Sequence, residues 1–206
     1  MNEQTIALFG ATGGTGRQVL EQGLAAGHRF RALVRDPSKL GAGDGLTLVE
    51  GDVLDQAAVE RCIEGCDAVI CVLGSHGGAE PVEDRGTERI IAAMQAQGLQ
   101  RLIAVTSLGV GDSVDQVAPF FRMIMKLTLA RIMAAKERQE EAIKASGLDW
   151  TIVRPGGLTN GPLTGKAKTG TDKSIQAGRV SRADVAAFLL EQLEDRRFLR
   201  QTPAIS

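Results

Sequence analysis

The chain has 206 residues, of which 43% are hydrophobic and 24% charged, and its formal net charge is −1. This length allows one domain with a full core, so we expect a single domain over residues 1–206. The near-zero charge argues against nucleic acid or an acidic membrane surface as a partner, and no run of about 20 apolar residues predicts a membrane span. We therefore expect a cytoplasmic protein whose partner is a small molecule.

The first predicted strand leads directly into a turn with three regularly spaced glycines. An apolar run over residues 6–9 is followed by Gly10, Gly13 and Gly16, and a helical segment begins beyond them. Gly10 would allow a sharp turn, Gly13 a close approach of backbone to a pyrophosphate, and Gly16 close packing of helix and sheet. Phosphate oxygens would then face the free N–H groups at the start of the helix. The order of strand, glycine turn and helix predicts a dinucleotide-binding βαβ unit.

Strand-like and helix-like segments alternate along the rest of the chain. Apolar runs predict six strands, at residues 5–9, 30–34, 46–50, 68–72, 101–106 and 150–154. Helical patterns predict helices at residues 16–26, 56–63, 87–97, about 118–146 and about 182–193. This alternation predicts an α/β protein with a doubly wound parallel sheet, the Rossmann fold, and a short C-terminal elaboration. The Gly- and Pro-rich stretch at 155–165 predicts an irregular loop, and the spacing of Ser181 and Asp184 predicts a cap for the last helix.

The residues that follow each predicted strand are candidates for ligand contact, since ligands bind at the carboxyl ends of parallel strands. After the second strand, Arg35 and Ser38 offer donors for the extra phosphate of NADP, whereas the Asp36 carboxylate would suit the ribose of NAD. We favour NADP, and Asp36 is also placed to cap a short helix. After the third strand, Asp52 could accept a hydrogen bond from adenine, and Val53 could pack against its ring.

Two further loops follow the fourth and fifth predicted strands. The loop at 72–78 is rich in glycine, so a dinucleotide could lie over its bare backbone. His76 in this loop could contact substrate, although a surface position is the favoured interpretation. Ser107 follows the fifth strand without a His or Asp placed to activate it, so we expect it to orient a ligand and not to act as a nucleophile.

Several of these segments together resemble a known family. They are Gly-Ala-Thr-Gly-Gly-Thr-Gly at 10–16, Leu-Val-Arg-Asp-Pro-Ser-Lys-Leu at 33–40, Gly-Asp-Val-Leu at 51–54 and Thr-Ser at 106–107. Over essentially its whole length the chain resembles the atypical, NmrA-like branch of the short-chain dehydrogenase/reductase superfamily. Within that branch it is most similar to the NADPH-dependent flavin reductases, also called biliverdin-IXβ reductases. The resemblance implies a Rossmann fold, NADP as the cofactor with NADPH favoured over NADH, and reductase activity.

The resemblance also implies roles for individual residues. Those implied to hold the pyrophosphate are Gly10, Thr12, Gly13, Gly14, Thr15 and Gly16. Arg35 and Ser38 would take the 2′-phosphate, and Asp52 and Val53 the adenine. Those implied to lie along the middle of the cofactor or beside the nicotinamide are Leu73, Gly74, Ser75, Ser107, Pro155, Gly156 and Leu158.

The chain contains no tyrosine, and this limits its chemistry. Most members of the superfamily use Tyr-x-x-x-Lys on the long helix, where the lysine lowers the tyrosine pKa and the tyrosine exchanges a proton with substrate. The matching residues here are Ile132 and Lys136. Lys136 could still bind the nicotinamide ribose, or it could simply pair with Glu140 one helical turn away. Ser107 and Lys136 are therefore the candidate catalytic residues.

An acceptor that needs no protein acid is the substrate best suited to such a site. A flavin fits because hydride reaches a ring nitrogen while the other proton equilibrates with water, and a quinone or another extended conjugated system also fits. We therefore predict an NADP(H)-dependent oxidoreductase that reduces a conjugated acceptor. The alternative is a non-catalytic protein that senses NADP(H), because atypical members without the tyrosine include such regulators.

The segment 119–133 carries more apolar side chains than one narrow stripe needs. They include Phe120, Phe121, Met123, Ile124, Met125, Leu127, Ile132 and Met133. We expect these mainly in the core, while the surplus could line an acceptor pocket or a dimer contact. The substrate-side elements are predicted at about 111–135 and 155–180. A monomer and a homodimer both stay open.

Overall fold

Six parallel strands form the centre of one sheet in the computed structural model, which describes residues 3–41, 43–75 and 80–206. They are β1 Thr5–Phe9, β2 Arg29–Val34, β3 Leu46–Glu50, β4 Ala68–Cys71, β5 Arg101–Val105 and β6 Asp149–Pro155. Their spatial order is β3-β2-β1-β4-β5-β6, and every neighbouring pair is parallel. The predicted doubly wound α/β sheet is therefore confirmed.

Helices cover both faces of this sheet. They are α1 Gly14–Ala25, α2 Gln56–Ile63, α3 Glu83–Gln97, α4 Pro119–Thr128, α5 Ala130–Ala145 and α6 Arg182–Glu191. α1 packs on α6, while α3 packs on α2 and α5. In β1, Ile6 and Leu8 enter the core under α1 and α6, whereas Ala7 and Phe9 enter the core on the other face. Because successive strand residues point to opposite faces, one apolar strand contributes to two cores.

The prediction of one long helix over about 118–146 is wrong, because the chain breaks at Leu129. Leu129 has φ −124° and ψ 12°, which separates α4 from α5. The Thr128 hydroxyl donates to the Ile124 carbonyl at 2.8 Å, a local hydrogen bond of the kind that bends helices. A 3₁₀ helix, Gly111–Gln116, precedes α4. Among the other predicted elements, the largest difference is at the start of α3, which begins at Glu83 and not at residue 87.

Four short strands lie in the C-terminal part of the chain. They are β7 Gly157–Thr159, β8 Thr169–Gly170, β9 Arg179–Ser181 and β10 Ala204–Ile205. β10 pairs parallel to β6 and antiparallel to β8, while β7 and β9 form a separate parallel pair. The prediction of an irregular loop at 155–165 is therefore wrong at β7. Strands of two or three residues show no readable periodicity, and partners distant in the chain determine their pairing.

A buried ion pair fastens α5 to β6. The Glu140 and Arg154 side chains are only 2% and 3% exposed, and Arg154 Nε donates to Glu140 Oε1 at 2.8 Å. Thr106 Oγ1 donates to the same oxygen at 2.8 Å, Lys144 Nζ donates to the other oxygen at 2.9 Å, and Arg154 reaches Asp112 at 2.7 Å. Burial alone would raise the pKa of Glu140, but its hydrogen bonds, first among them those from Arg154, hold that pKa below the usual value.

Loss of Glu140 should destabilise the protein strongly, because the buried Arg154 would keep only its single contact with the exposed Asp112 carboxylate. We expect Glu140→Ala to lower the free energy of unfolding by about 3–5 kcal/mol in urea denaturation at neutral pH. Glu141 is exposed, so Glu141→Ala is the matched control and should change stability by less than about 0.5 kcal/mol. Equal losses in the two variants would contradict this role of the pair.

The same ion pair should make the free energy of unfolding depend on pH in the acidic range. Because the native pKa of Glu140 lies below its ordinary value of 4.5, its contribution is complete above that pH and is lost as pH falls through the native pKa. Glu140→Gln should therefore lose less stability than the unmodified protein between about pH 4.5 and about pH 3. Urea midpoints across this range measure the difference, and parallel curves would show that Glu140 does not drive the acid loss.

Candidate functional site

The carboxyl ends of the six parallel strands meet along one edge of the sheet. The strand order places the segments that follow β3, β2, β1, β4, β5 and β6 side by side. The predicted cofactor residues lie in these segments, with Leu158 just beyond in β7, so the fold brings them to one edge. The connections reverse direction between β1 and β4, which is the position of the ligand crevice in sheets of this type.

The turn between β1 and α1 requires glycine at two positions. Gly10 has φ +91°, and a Cβ there would lie 2.5 Å from the carbonyl oxygen of Val72, just after β4. A Cβ on Gly16 would collide with the Gly10 carbonyl. Gly13 is the N-cap of α1 without a capping side chain, and the first turn of α1 has no acidic residue. The first N–H groups of α1 therefore suit a phosphate.

Two arginines without a sequence signal lie beside this turn. A Cβ on Gly14 would be 2.7 Å from Arg182 Cδ, so this side chain at the start of α6 lies against the turn. From α1, Arg17 Nε donates to the Thr12 carbonyl at 3.2 Å and Nη2 to the Lys39 carbonyl at 2.7 Å. Arg17 thereby ties the glycine turn to the segment after β2. Both positions depend on tertiary contacts, which no local pattern reveals.

The segment after β2 carries the candidates for the adenosine end. Asp36 accepts from Ser38 N at 3.1 Å and from Ser38 Oγ at 2.6 Å, so it caps the 3₁₀ helix Pro37–Lys39, as predicted. These hydrogen bonds lower the pKa of Asp36. Arg35 is exposed, and within the described ranges no hydrogen bond or ion pair holds its side chain. Arg35 is therefore free to meet a phosphate, whereas Ser38 would first have to leave Asp36.

The segments after β3 and β4 share an apolar surface. Asp52 Oδ1 accepts from Leu54 N at 2.9 Å, which fixes the turn after β3. A Cβ on Gly86 of α3 would lie 2.9 Å from Val53 Cγ1 and 3.0 Å from Leu73 Cδ1. Val53 and Leu73 therefore meet over the start of α3, and the structure brings these two predicted residues together.

Glu83 lies beside the predicted site residue Ser75, and the sequence gives no signal for this position. It is fully buried, and its carboxylate accepts from Ser75 N and from Ser75 Oγ, both at 2.8 Å, and from Val82 N at 2.9 Å. Ser75 is therefore held in place next to Gly74, which has open space around it. An acidic residue in the first turn of a helix is a common feature, so Glu83 carries no specific signal.

Ser107 and the start of the segment after β6 lie together. Leu108 N donates to the Pro155 carbonyl at 2.9 Å, while Ser107 Oγ donates to the Leu108 carbonyl at 3.0 Å. A Cβ on Gly156 would lie 2.6 Å from the carbonyl oxygen of Gly178, so the chain is tightly packed there. Leu158 is 37% exposed and offers an apolar surface beyond this point.

Lys136 is partly buried on α5, near the end of β4. Glu83 on α3, Cys71 on β4 and Glu140 on α5 lie near enough to act on its charge. Burial lowers the pKa of Lys136, and the neighbouring negative charges only partly offset this. Within the described residues no ion pair joins Lys136 to Glu140, whose buried carboxylate is held by Arg154 and Lys144, so the role of Lys136 stays a prediction.

Two observations concern the remaining sequence predictions. His76 lies outside the described residues, so contact with substrate stays a prediction. Among the helices of the described part of the chain, none is long and apolar enough to cross a membrane.

Known proteins are similar to this chain in sequence and in fold. The family described as NAD(P)H-binding matches residues 10–196. An uncharacterized chloroplast protein of Arabidopsis thaliana is 34% identical over 203 residues, which cover 91% of this chain and 71% of the relative. The structure of ChuY, an anaerobilin reductase from Escherichia coli O157:H7, has a TM-score of 0.84 at 30% identity and covers 98% of this chain and 96% of its own. A (4-alkanoyl-5-oxo-2,5-dihydrofuran-3-yl)methyl phosphate reductase of Streptomyces griseus is 32% identical over 151 residues, 73% of this chain and 46% of the relative.

The chain belongs to the NAD(P)H-binding family. The matched residues begin at Gly10 and extend past α6, so they include the whole edge described above. The predicted resemblance to NAD(P)-dependent reductases is confirmed, since the relatives described above include two reductases. The roles of individual residues in this member of the NAD(P)H-binding family stay predictions.

Arg182 offers a test of the phosphate end of the site. Because its cation lies at the start of α1, we expect Arg182→Met to weaken NADPH binding about 10-fold, the effect of one charged hydrogen bond. Isothermal titration calorimetry measures this affinity. Arg179 is exposed in β9, so Arg179→Met is the matched control and should bind as the unmodified protein does. Equal affinity in both variants would remove Arg182 from the site.

Proposed function

We propose that the chain is an NADP(H)-dependent reductase that passes hydride to a flavin, a quinone or a similar conjugated acceptor. One observation carries this proposal: the cofactor edge has its phosphate-binding turn, but the position of the usual proton donor is Ile132. NADPH, when bound, would supply the hydride. A carbonyl substrate would also need an acid at the position of Ile132, and a conjugated acceptor would not.

The polar groups at the predicted nicotinamide end support the same acceptor class. Ser107 Oγ is engaged with the neighbouring carbonyl, and Ser75 Oγ is engaged with Glu83. We assign Ser107 to orienting a ligand and Lys136 to binding the ribose. Neither assignment requires a proton to move. Leu158, with its exposed side chain, would give the acceptor an apolar surface to stack on.

The preference for NADPH over NADH is also proposed, on the basis of charge. Arg35 is free, and Arg17 lies between the glycine turn and the 3₁₀ helix that follows β2. Lys39 adds a third cation, which is 3.8 Å from Asp36. With three cations and one carboxylate in and beside this segment, the excess of positive charge favours an additional phosphate over a neutral ribose hydroxyl.

The relatives support a reductase in general terms. One reduces a dihydrofuran phosphate and the other is an anaerobilin reductase. The conjugated acceptor, the single domain over residues 1–206 and a location in the cytoplasm are our own predictions for this chain.

Absorbance at 340 nm tests the activity directly. Purified protein is mixed with NADPH or NADH and with FMN, riboflavin, small quinones or biliverdin. We expect NADPH oxidation with at least one of these acceptors. Tight NADPH binding in calorimetry without turnover on any acceptor would overturn the reductase and favour the alternative, a non-catalytic NADP(H) sensor.

The 2′-phosphate assignment has its own test. We expect Arg35→Ala to raise the KM for NADPH about 10-fold or more, with little change for NADH, because only NADPH offers the additional phosphate. Arg89 is exposed on α3, and Arg89→Ala is the control with unchanged constants. An equal loss for both cofactors in Arg35→Ala would contradict the assignment.

A further inference from the structure

We infer that the outward face of α4 is an interface between two copies of this chain. This inference does not depend on the proposed reductase activity. α4 has no buried residue, although six of its ten residues are large and apolar. Phe120, Met123, Ile124 and Leu127 follow the i, i+3, i+4, i+7 spacing of one helix face and are 64%, 54%, 37% and 79% exposed. The prediction that these residues lie in the core is wrong.

The area of this face is large for a protein surface. Phe121, 60% exposed, and Leu129, 40% exposed, extend the face at its sides. With about 200 Å² for each large apolar side chain, these fractions leave on the order of 600 Å² uncovered. This area is at the upper limit of the apolar patches found on typical monomers. A standard protein–protein interface buries about 800 Å² on each partner. The face therefore supplies most of one half of a dimer contact.

The charges near α4 favour a second copy over a membrane. Arg122, at i+2 from Phe120, lies on the side of the helix opposite the apolar face. Arg122 is held there by Asp115 at 2.9 Å. Lys126, at i+6, lies at the border of that face beside Met123. Helices that bind anionic bilayers are rich in Lys and Arg on their polar face, whereas α4 carries only two cations and one of them, Arg122, is already paired with Asp115. The face of α4 is uncharged, so two such faces can meet without burying a charge.

The size of the face also argues against the acceptor as its only cover. Ten helical residues span about 15 Å, more than one planar ring system covers. A two-fold axis would pair the same face of both copies, and this is the commonest arrangement of soluble oligomers.

The other side of α4 connects this face to the candidate site. Met125 packs in a small core cluster with Leu108 and Val117, and a Cβ on Gly109 would lie 3.1 Å from Met125 Cε. Ser107 directly precedes this cluster. Contact between two copies would therefore hold the helix that borders the predicted nicotinamide end.

Sedimentation equilibrium of the full chain tests the interface. Between about 1 and about 100 µM, we expect a mass approaching twice 21.8 kDa. Leu127→Glu should give a monomer over the same range, and the milder Leu127→Ser should weaken the dimer. Leu163 is 55% exposed but lies outside α4, so Leu163→Glu is the matched control and should stay dimeric.

Each other outcome overturns the inference. A monomer at every concentration, or an unchanged dimer in both Leu127 variants, would show that α4 does not join two copies. A monomer that sediments with vesicles of phosphatidylserine and phosphatidylcholine would identify a bilayer as the cover instead. Because Leu127 is exposed, unfolding midpoints of its variants should equal that of a monomeric sample of the unmodified chain, which separates lost contact from lost folding.

Discussion

The buried ion pair between Glu140 and Arg154 is the interaction on which the predicted nicotinamide end depends. Glu140 lies on α5 one turn after Lys136, and Arg154 lies near the end of β6. Thr106, which donates to Glu140, directly precedes Ser107. The three elements that present the candidate residues therefore meet at one carboxylate. Because a buried charge without its partner is costly, this arrangement is kept or lost as a unit.

The phosphate end of the same edge rests on backbone and not on charged pairs. Gly10 allows the turn to pack against Val72 just after β4, and Gly16 allows the first turn of α1 to pack against the Gly10 carbonyl. The start of α1 has a glycine N-cap and no capping side chain, so no side chain accepts from its first N–H groups. A bound phosphate would satisfy those N–H groups, so the omission is consistent with a binding site. The glycine-turn end of the edge is thus suited to an anion. At the predicted nicotinamide end, the hydroxyls of Ser75 and Ser107 already have hydrogen-bond partners.

The sequence could predict those parts of the structure that depend on local pattern. The six central strands, the glycine turn and the capping roles of Asp36 and Ser181 each have a signal within a few residues, and the structure has them. Arg182 and Glu83 could not be found in this way. Arg182 reaches Gly14 only because α6 packs on α1, and Glu83 matters because its first turn meets the loop after β4. The short strands β7–β10 likewise depend on partners far away in the chain.

In α4 the packing that the sequence pattern predicts differs from the packing that the structure shows. Spacing alone correctly indicates an apolar face, but it does not indicate what covers that face. In the folded chain Met125 points inward to the cluster beside Ser107, whereas Leu127 points outward. Because the break at Leu129 frees α4 from the axis of α5, the helix can turn its apolar face away from the sheet. The same break places one helix between the predicted acceptor site and the proposed second copy, so a contact on one side of α4 would restrain the other.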